Sequence, residues 1–343
     1  MTWRVLGANF DQMHMNTNLT WVRDHPDLEI VGVCDEVPAT STGSLTQAVE
    51  ECDLTPAQVY ENLDEAIKAT EPDIVMGGPM NTDHGAFVER VAAHDVHIVI
   101  EKPMASSLAD ADRMLKAMPR DRLLFINWPT MWDPVKHTVK RLVDEGAIGD
   151  IVEVQYYGGN AAAPPSDSWF YDADAGGGSL LDYLGYGATF TTWFRDGELP
   201  NTVSAETYVP PDQEVDFQSV STCGYTTGLS TLQTTWRMLT NPWEVQPQPA
   251  KGYELVGTDG TISTRDREAA IRVTTTETPE GYAVEPDELP SRYRDLAYYL
   301  VDRLEGAKEP EGPAAPEFCR EAQRIIETAQ RSASEGERLT LVG

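Results

Sequence analysis

Two kinds of hydrophobic patterning divide this chain near residue 127. Before it, short unbroken apolar runs (Val5-Leu6-Gly7, Leu28 to Cys34, Asp73 to Gly77, Val96 to Ile100, Leu123 to Ile126) are separated by stretches with apolar residues every three or four positions. Unbroken runs suit strands buried on both faces, and a 3.6-residue period suits helices laid against them. Helices are predicted over Asn62 to Thr70, with Leu63, Ala66 and Ile67 facing inward, over Asp83 to Ala93 and over Leu108 to Ala117. Strand and helix alternating through short connections predict a doubly wound parallel sheet over residues 1–126, an α/β domain of Rossmann type.

After residue 127 the pattern changes. One helix, Pro134 to Glu145, stops at Gly146, and strands then follow one another: Ile151 to Tyr157, Val203 to Val209, Phe217 to Tyr225, Gly228 to Trp236, Tyr253 to Gly257, Thr261 to Ser263 and Ala270 to Thr275. Turns at Thr226-Thr227-Gly228 and Asp259-Gly260 join neighbouring strands, so residues 127–343 read as an α+β domain with a large, open, mostly antiparallel sheet. Amphipathic helices over Tyr293 to Leu304 and Glu317 to Ser334 close the chain.

Charge narrows the choice of partner. Among 343 residues, 56 are acidic and 26 basic, a formal charge of −30. Such a field repels phosphate backbones and anionic lipid, which argues against nucleic-acid and membrane-surface binding. Lysine occurs only at 68, 102, 116, 136, 140, 251 and 308. Few lysines on a carboxylate-rich chain match a halophilic protein, whose self-repulsion is screened by salt. Four widely spaced cysteines without metal-ligand clustering read as reduced thiols. With no leader-like or membrane-spanning apolar stretch, a soluble cytoplasmic protein is expected.

The candidate chemistry sits at strand ends. Glu101-Lys102-Pro103 follows an apolar run, so Lys102 is delivered where open α/β sheets bind ligands. Gly176-Gly177-Gly178 opens a segment that carries Asp182 and Tyr186 four residues apart, on one face of a helix. Lysine, carboxylate and phenol together can take a proton from an alcohol. In the first strand-to-helix turn, Gly7-Ala8-Asn9-Phe10-Asp11-Gln12, only the first fingerprint glycine is present. Asn9 can stand in for the second because asparagine tolerates positive φ, whereas Asp11 must turn outward to avoid repelling phosphate. His14, on the following helix, reads as a packing or capping residue. Asp35, ending the second strand, can accept both adenosine ribose hydroxyls and favours NAD over NADP; the rival reading is a solvated acid. Asn81 can cap the helix that begins near His84.

In this order and spacing, Cys34-Asp35, Asn81 to His84, Glu101-Lys102-Pro103, Asp133-Pro134, Gly146 to Asp150, the triple glycine and Gly257 to Thr261 resemble one family. It is the Gfo/Idh/MocA-type oxidoreductase family, which includes glucose-fructose oxidoreductase, inositol 2-dehydrogenase and dihydrodiol dehydrogenase. The resemblance implies a cofactor site at Gly7, Asn9, Phe10, Asp35, Asn81, His84, Glu101 and Lys102. It also implies proton handling by Lys102, a Lys102-Pro103 bond that is commonly cis, and substrate orientation by Asp182. Tyr186 replaces the histidine of many members, as in the sugar-oxidising and dihydrodiol branches, and Phe170 stands where many relatives carry an arginine that reaches the cofactor. A phenol of ordinary pKa near ~10 needs a neighbouring cation to ionise near neutrality, a role for Lys102.

The resulting expectation is an NAD(P)-dependent oxidoreductase that moves a hydride to or from a secondary alcohol or hemiacetal of a sugar, polyol, inositol or sugar derivative. Trp128, Trp132, Trp169, Phe170 and Tyr183 are candidates for a sugar-stacking wall, and the loops Asn160 to Ser168 and Thr240 to Lys251 for substrate choice. A homo-dimer or homo-tetramer through the second domain's sheet is expected. The alternatives are a non-catalytic nucleotide- or sugar-binding regulator of the same fold and an NAD-assisted sugar hydrolase or lyase.

Overall fold

The structure, a computed structural model, describes residues 2–38, 41, 43–160, 164, 167–237, 251–264 and 270–343. It divides into two compact units, Met1–Trp132 with Leu289–Cys319, and Asp133–Glu288 with Arg320–Gly343.

In the first unit β1 (Trp3–Phe10), α1 (His14–Asp24), β2 (Leu28–Cys34), α2 (Leu45–Glu51), β3 (Val59–Tyr60), α3 (Leu63–Thr70), β4 (Ile74–Gly78), α4 (His84–Ala92), β5 (His97–Glu101), α5 (Leu108–Ala117) and β6 (Leu124–Asn127) succeed one another. The six strands pair in parallel in the order β3-β2-β1-β4-β5-β6. Strand order reverses beside β1, and the crevice at the carboxyl ends of β1 and β4 is where such sheets bind ligands. α3 follows the periodicity: Leu63, Ala66, Ile67 and Thr70 are buried, and the Asn62 side chain caps it by accepting from the Glu65 N–H at 3.0 Å. α2 was not apparent in the apolar pattern, because Ala48 is its one buried residue. Its start is fixed by polar groups: the Ser44 side chain accepts from the Gln47 N–H, and the Asn16 side chain bonds both backbone groups of Ser44 at 2.7 and 2.9 Å.

The second unit opens with α6 (Pro134–Asp144), capped by the Asp133 side chain, which accepts from the Val135 N–H. β7 (Ile151–Gly159), α7 (Ser179–Phe194), β8 (Thr202–Tyr208), β9 (Gln218–Gly224), β10 (Leu229–Thr235), β11 (Gly252–Gly257), β12 (Gly260–Ser263), β13 (Ile271–Thr275) and β14 (Tyr282–Val284) follow. The chain ends with α8 (Leu296–Gly306), α9 (Pro316–Glu335) and β15 (Leu339–Thr340). The nine strands of this sheet run in the order β14-β13-β12-β11-β7-β10-β9-β8-β15. All pairs are antiparallel except β7 with β10. α7 packs on those two strands, and Gly187 makes the approach close: a Cβ there would lie 2.6 Å from the Tyr156 ring.

The units are not the consecutive segments 1–126 and 127–343 read from the sequence. Trp128, Met131 and Trp132 stay with the first unit, and α8 joins it. The reason is packing of aromatic rings: Tyr299 meets Phe125 and Trp132 at ring separations of 6.2 and 5.4 Å, and Tyr298 meets His25 at 4.4 Å. Trp128 donates its indole N–H to Cys319 Sγ at 3.3 Å and, like Trp132, is buried in the core.

Candidate functional site

In the first unit the groups of interest gather at strand carboxyl ends. Asn9 has φ +53°, the left-handed backbone that the missing glycine requires, and the β1–β4 register shifts there. Its Oδ1 is buried with no hydrogen-bond partner among the described residues. Asp35, 4% exposed, is alike: Oδ2 accepts from Ser41 Oγ at 2.8 Å, while Oδ1 is buried and without such a partner. Burial pushes the Asp35 carboxyl above its ordinary value against the pull of Ser41 and two backbone N–H groups. Two orphaned buried acceptors at adjacent strand ends fit a ligand that brings hydroxyl donors, as a nucleoside ribose does.

The rest of the turn departs from expectation. Asp11 is buried instead of turned to solvent. The Gln12 N–H donates to the Gly78 carbonyl at 3.0 Å, and Gly43 N–H donates to the Phe10 carbonyl at 2.8 Å. Asn81 does not cap α4, whose cap position is Asp83. Its Oδ1 instead accepts from Gln12 Nε2 at 2.9 Å, tying the β1 and β4 turns together. Gly7 serves packing, since a Cβ there would lie 3.1 Å from both Leu19 methyls of α1.

Glu101 ends β5 inside the protein, 1% exposed. Its Oε2 is 2.9 Å from His14 Nδ1, and its Oε1 accepts from Asn18 and Asn127 amides, each at 2.7 Å. Burial alone would raise this carboxyl, but His14 and the two amides hold it below the usual carboxylate range. The next residue is Lys102, 4% exposed, and the Lys102-Pro103 peptide is cis. His84 braces the same loop: its ring nitrogens lie 3.1 Å from the Met104 carbonyl and 3.2 Å from the Pro79 carbonyl. Glu101 and His84 therefore spend their polar atoms on the protein, supporting the loop that carries Lys102.

In the second unit the start of α7 is the focus. Gly178 has φ +102°, and a Cβ there would lie 2.6 Å from Asp216 Oδ1. That close approach lets Asp216 cap the helix: its Oδ2 accepts from Ser179 Oγ at 2.7 Å and from the Leu180 N–H at 2.9 Å. Of the sixteen residues of α7 all are buried but Asp182 and Trp193. Asp182 is thus the one carboxylate of the helix and is partly exposed, and its Oδ2 accepts from the Trp236 indole at 3.1 Å. Tyr186 lies one turn on; its carbonyl accepts from the Tyr253 hydroxyl at 3.0 Å, and its ring is 6.0 Å from that of Tyr183. Trp169 and Phe170 stack at 4.1 Å, and Lys251 Nζ sits 5.7 Å from the centre of the Tyr183 ring. Most of the loops expected to set substrate choice, Asn160 to Ser168 and Thr240 to Lys251, lie outside the described residues.

Asp182 and Tyr186 thus share a helix in the second unit, and Lys102 belongs to the first. Asp216 and Trp236 were not found in the sequence, because each reaches α7 from a strand end with no local pattern to mark it.

Burial pushes the Asp216 carboxyl to about 6, with nearby Asp182 adding to the rise and Ser179 and Leu180 opposing it. An unfolded aspartate titrates near ~3.9, so the folded state holds the extra proton between about pH 4 and 6, and stability falls as pH rises through that window. Asp216→Asn, which keeps an accepting oxygen, is expected to flatten this slope, whose full extent is at most about 3 kcal/mol. Urea unfolding at the two ends of the window checks it; an unchanged slope refutes it.

Residues 1–127 match a family profile described as an oxidoreductase family with an NAD-binding Rossmann fold, and residues 137–263 match the GFO/IDH/MocA C-terminal domain. The chain is 27% identical over 169 residues to a dTDP-3,4-didehydro-2,6-dideoxy-α-D-glucose 3-reductase of Actinomadura kijaniata, covering 48% of this chain and 49% of that one. It is 29% identical over 136 residues to a D-xylose 1-dehydrogenase [NADP(+)] of Haloarcula marismortui, covering 38% and 37%. The matched stretch spans about half or less of these curated relatives. Among solved structures, aldose-aldose oxidoreductase from Caulobacter crescentus, complexed with glycerol, superposes with TM-score 0.83 at 20% identity, covering 99% of this chain and 100% of that one. A levoglucosan dehydrogenase in complex with NADH and levoglucosan gives 0.81 at 15% identity, covering 100% of each chain. At such identities these superpositions speak for the fold. No helix among the described residues is long and apolar enough to cross a membrane.

Proposed function

Because the chain belongs to the GFO/IDH/MocA oxidoreductase family, we propose that it is an NAD(P)-dependent oxidoreductase acting on a secondary alcohol or hemiacetal of a sugar, polyol, inositol or sugar derivative. The observation that carries the reading is Asp182, the one carboxylate of a mostly buried helix, partly exposed and one turn from the phenol of Tyr186. Nicotinamide, when bound, supplies the hydride acceptor or donor. Tyr186 takes or returns the proton of the substrate hydroxyl, and Lys102 keeps the part in proton handling that the family resemblance implies. Asp182 accepts a hydrogen bond from the substrate and fixes its orientation.

The dinucleotide would lie on Gly7, Asn9, Phe10, Asp35 and Asn81, with Glu101 and His84 holding the Lys102 loop. Asp35 would accept from the ribose hydroxyls and repel a 2′-phosphate, which supports NAD over NADP. The test is a titration with NAD⁺, NADH, NADP⁺ and NADPH in molar salt, followed by calorimetry. The NAD forms are expected to bind more tightly; binding of none of the four would overturn the reading.

The regulator alternative draws on one observation. The Gln12 N–H, a group that a phosphate would use, already donates to Gly78. Turnover of any member of a polyol panel rules that alternative out.

A further inference from the structure

Trp236 stands directly after β10 and is 1% exposed. Its ring is fixed by three others of the same unit, Phe217 at 5.5 Å, Tyr171 at 5.9 Å and Phe170 at 6.2 Å, and its backbone N–H donates to the Phe217 carbonyl at 2.9 Å. An indole has a single polar atom, Nε1–H, which only donates. Here that donor points at Asp182 Oδ2, 3.1 Å away. A buried donor that gives its hydrogen bond to a partly exposed carboxylate is a device for aiming that carboxylate, since the donor cannot move and the acceptor cannot turn without leaving a buried N–H unpaired.

The same turn of helix is gripped from a second side. Ser179 Oγ donates to Asp216 and lies 3.2 Å from Thr234 Oγ1, which is itself 2.7 Å from Ser219 Oγ. Thr234 is the penultimate residue of β10, two positions before Trp236. The end of one strand thus fixes both the start of α7 and the side chain that α7 presents.

We propose that Trp236 is a positioning residue for Asp182: the indole at the end of β10 sets the direction of the Asp182 carboxylate toward substrate. The inference rests on the role given to Asp182 above. Phe170 strengthens it. Its apolar ring packs edge-on to Trp236 and helps to fix the indole.

Two measurements test the proposal, the first without any turnover. In a ¹H–¹⁵N spectrum the chain has eight tryptophan indoles. The Trp236 signal is identified by its loss in Trp236→Phe, or in Trp236→Tyr should the first variant not fold. Asp182→Asn replaces a charge-assisted bond by a neutral one, so this indole proton alone is expected to move upfield. An unmoved signal overturns the proposal, whether or not the protein is an oxidoreductase. The second measurement is a kinetic cycle. Trp236→Phe is expected to lower kcat/KM about 10- to 100-fold with nucleotide affinity kept, the range for a lost bond to a charged group. In an Asp182→Asn background the same change is expected to add little, because it acts through Asp182. Additive losses would make Trp236 a purely structural residue and overturn the proposal, while absence of turnover in the wild type with every substrate counts against the enzymatic reading and leaves the indole measurement to decide this one.

Discussion

Replacing Lys102 by methionine is expected to lower kcat by about 10²- to 10⁴-fold, the range for removal of a group that governs proton transfer. Methionine keeps most of the aliphatic stem and deletes the charge, so the buried loop at the end of β5 retains its packing. Tyr186→Phe is expected to produce a loss of the same order, because in the proposed reaction the phenol carries the substrate proton. Under the proposed function both serve one proton transfer, so the double variant should be hardly worse than the weaker single one. Steady-state kinetics on the best polyol, with nucleotide affinity measured separately, check both. Unchanged turnover in the two single variants would remove this pair from the mechanism.

Glu101→Leu is expected to destabilise the first unit by about 3–5 kcal/mol, the cost of breaking a buried charged network by removing one partner. Three donors converge on this carboxylate: His14 and Asn18 from α1, and Asn127 from β6. Leucine fills similar space but leaves those groups facing carbon. Asn127 also bonds Asn18 Oδ1 at 3.1 Å and receives the Trp132 indole at 3.4 Å, so the loss spreads through neighbours. Glu101→Gln should cost less, keeping one accepting oxygen while pointing an amide at other donors. Urea unfolding followed by tryptophan fluorescence reads the difference; a cost below about 1 kcal/mol for the leucine variant would place the network among ordinary surface pairs.

Much of this was open to reading from residue order. α5 occupies Leu108–Ala117 as its periodicity indicates, and β2 begins and ends where its apolar run does. Asn9 adopts the positive φ inferred from the missing glycine. These features are local: strand and helix periods, or one residue's backbone freedom, carry them. What escaped depends on contacts between distant segments. The partners of Glu101 lie 83, 87 and 26 residues away, Asp216 reaches Leu180 over 36, and Trp236 reaches Asp182 over 54. No periodicity signals such pairs. Asn81 shows the limit well: its type and place suit a cap, while the Gln12 amide of the neighbouring β1 turn draws it to another task.

The path of the chain has a practical meaning for anyone dissecting the gene. It passes between units at Trp132–Asp133, Glu288–Leu289 and Cys319–Arg320. A stop codon after residue 288 therefore does not merely shorten the second unit. It strips α8 from the first, taking Tyr298 from His25 and Tyr299 from Phe125 and Trp132. Expression of residues 1–126 alone makes the same cut from the other direction, so a nucleotide-binding fragment for separate study has to carry Leu289–Cys319 as a second piece or through a circular permutation.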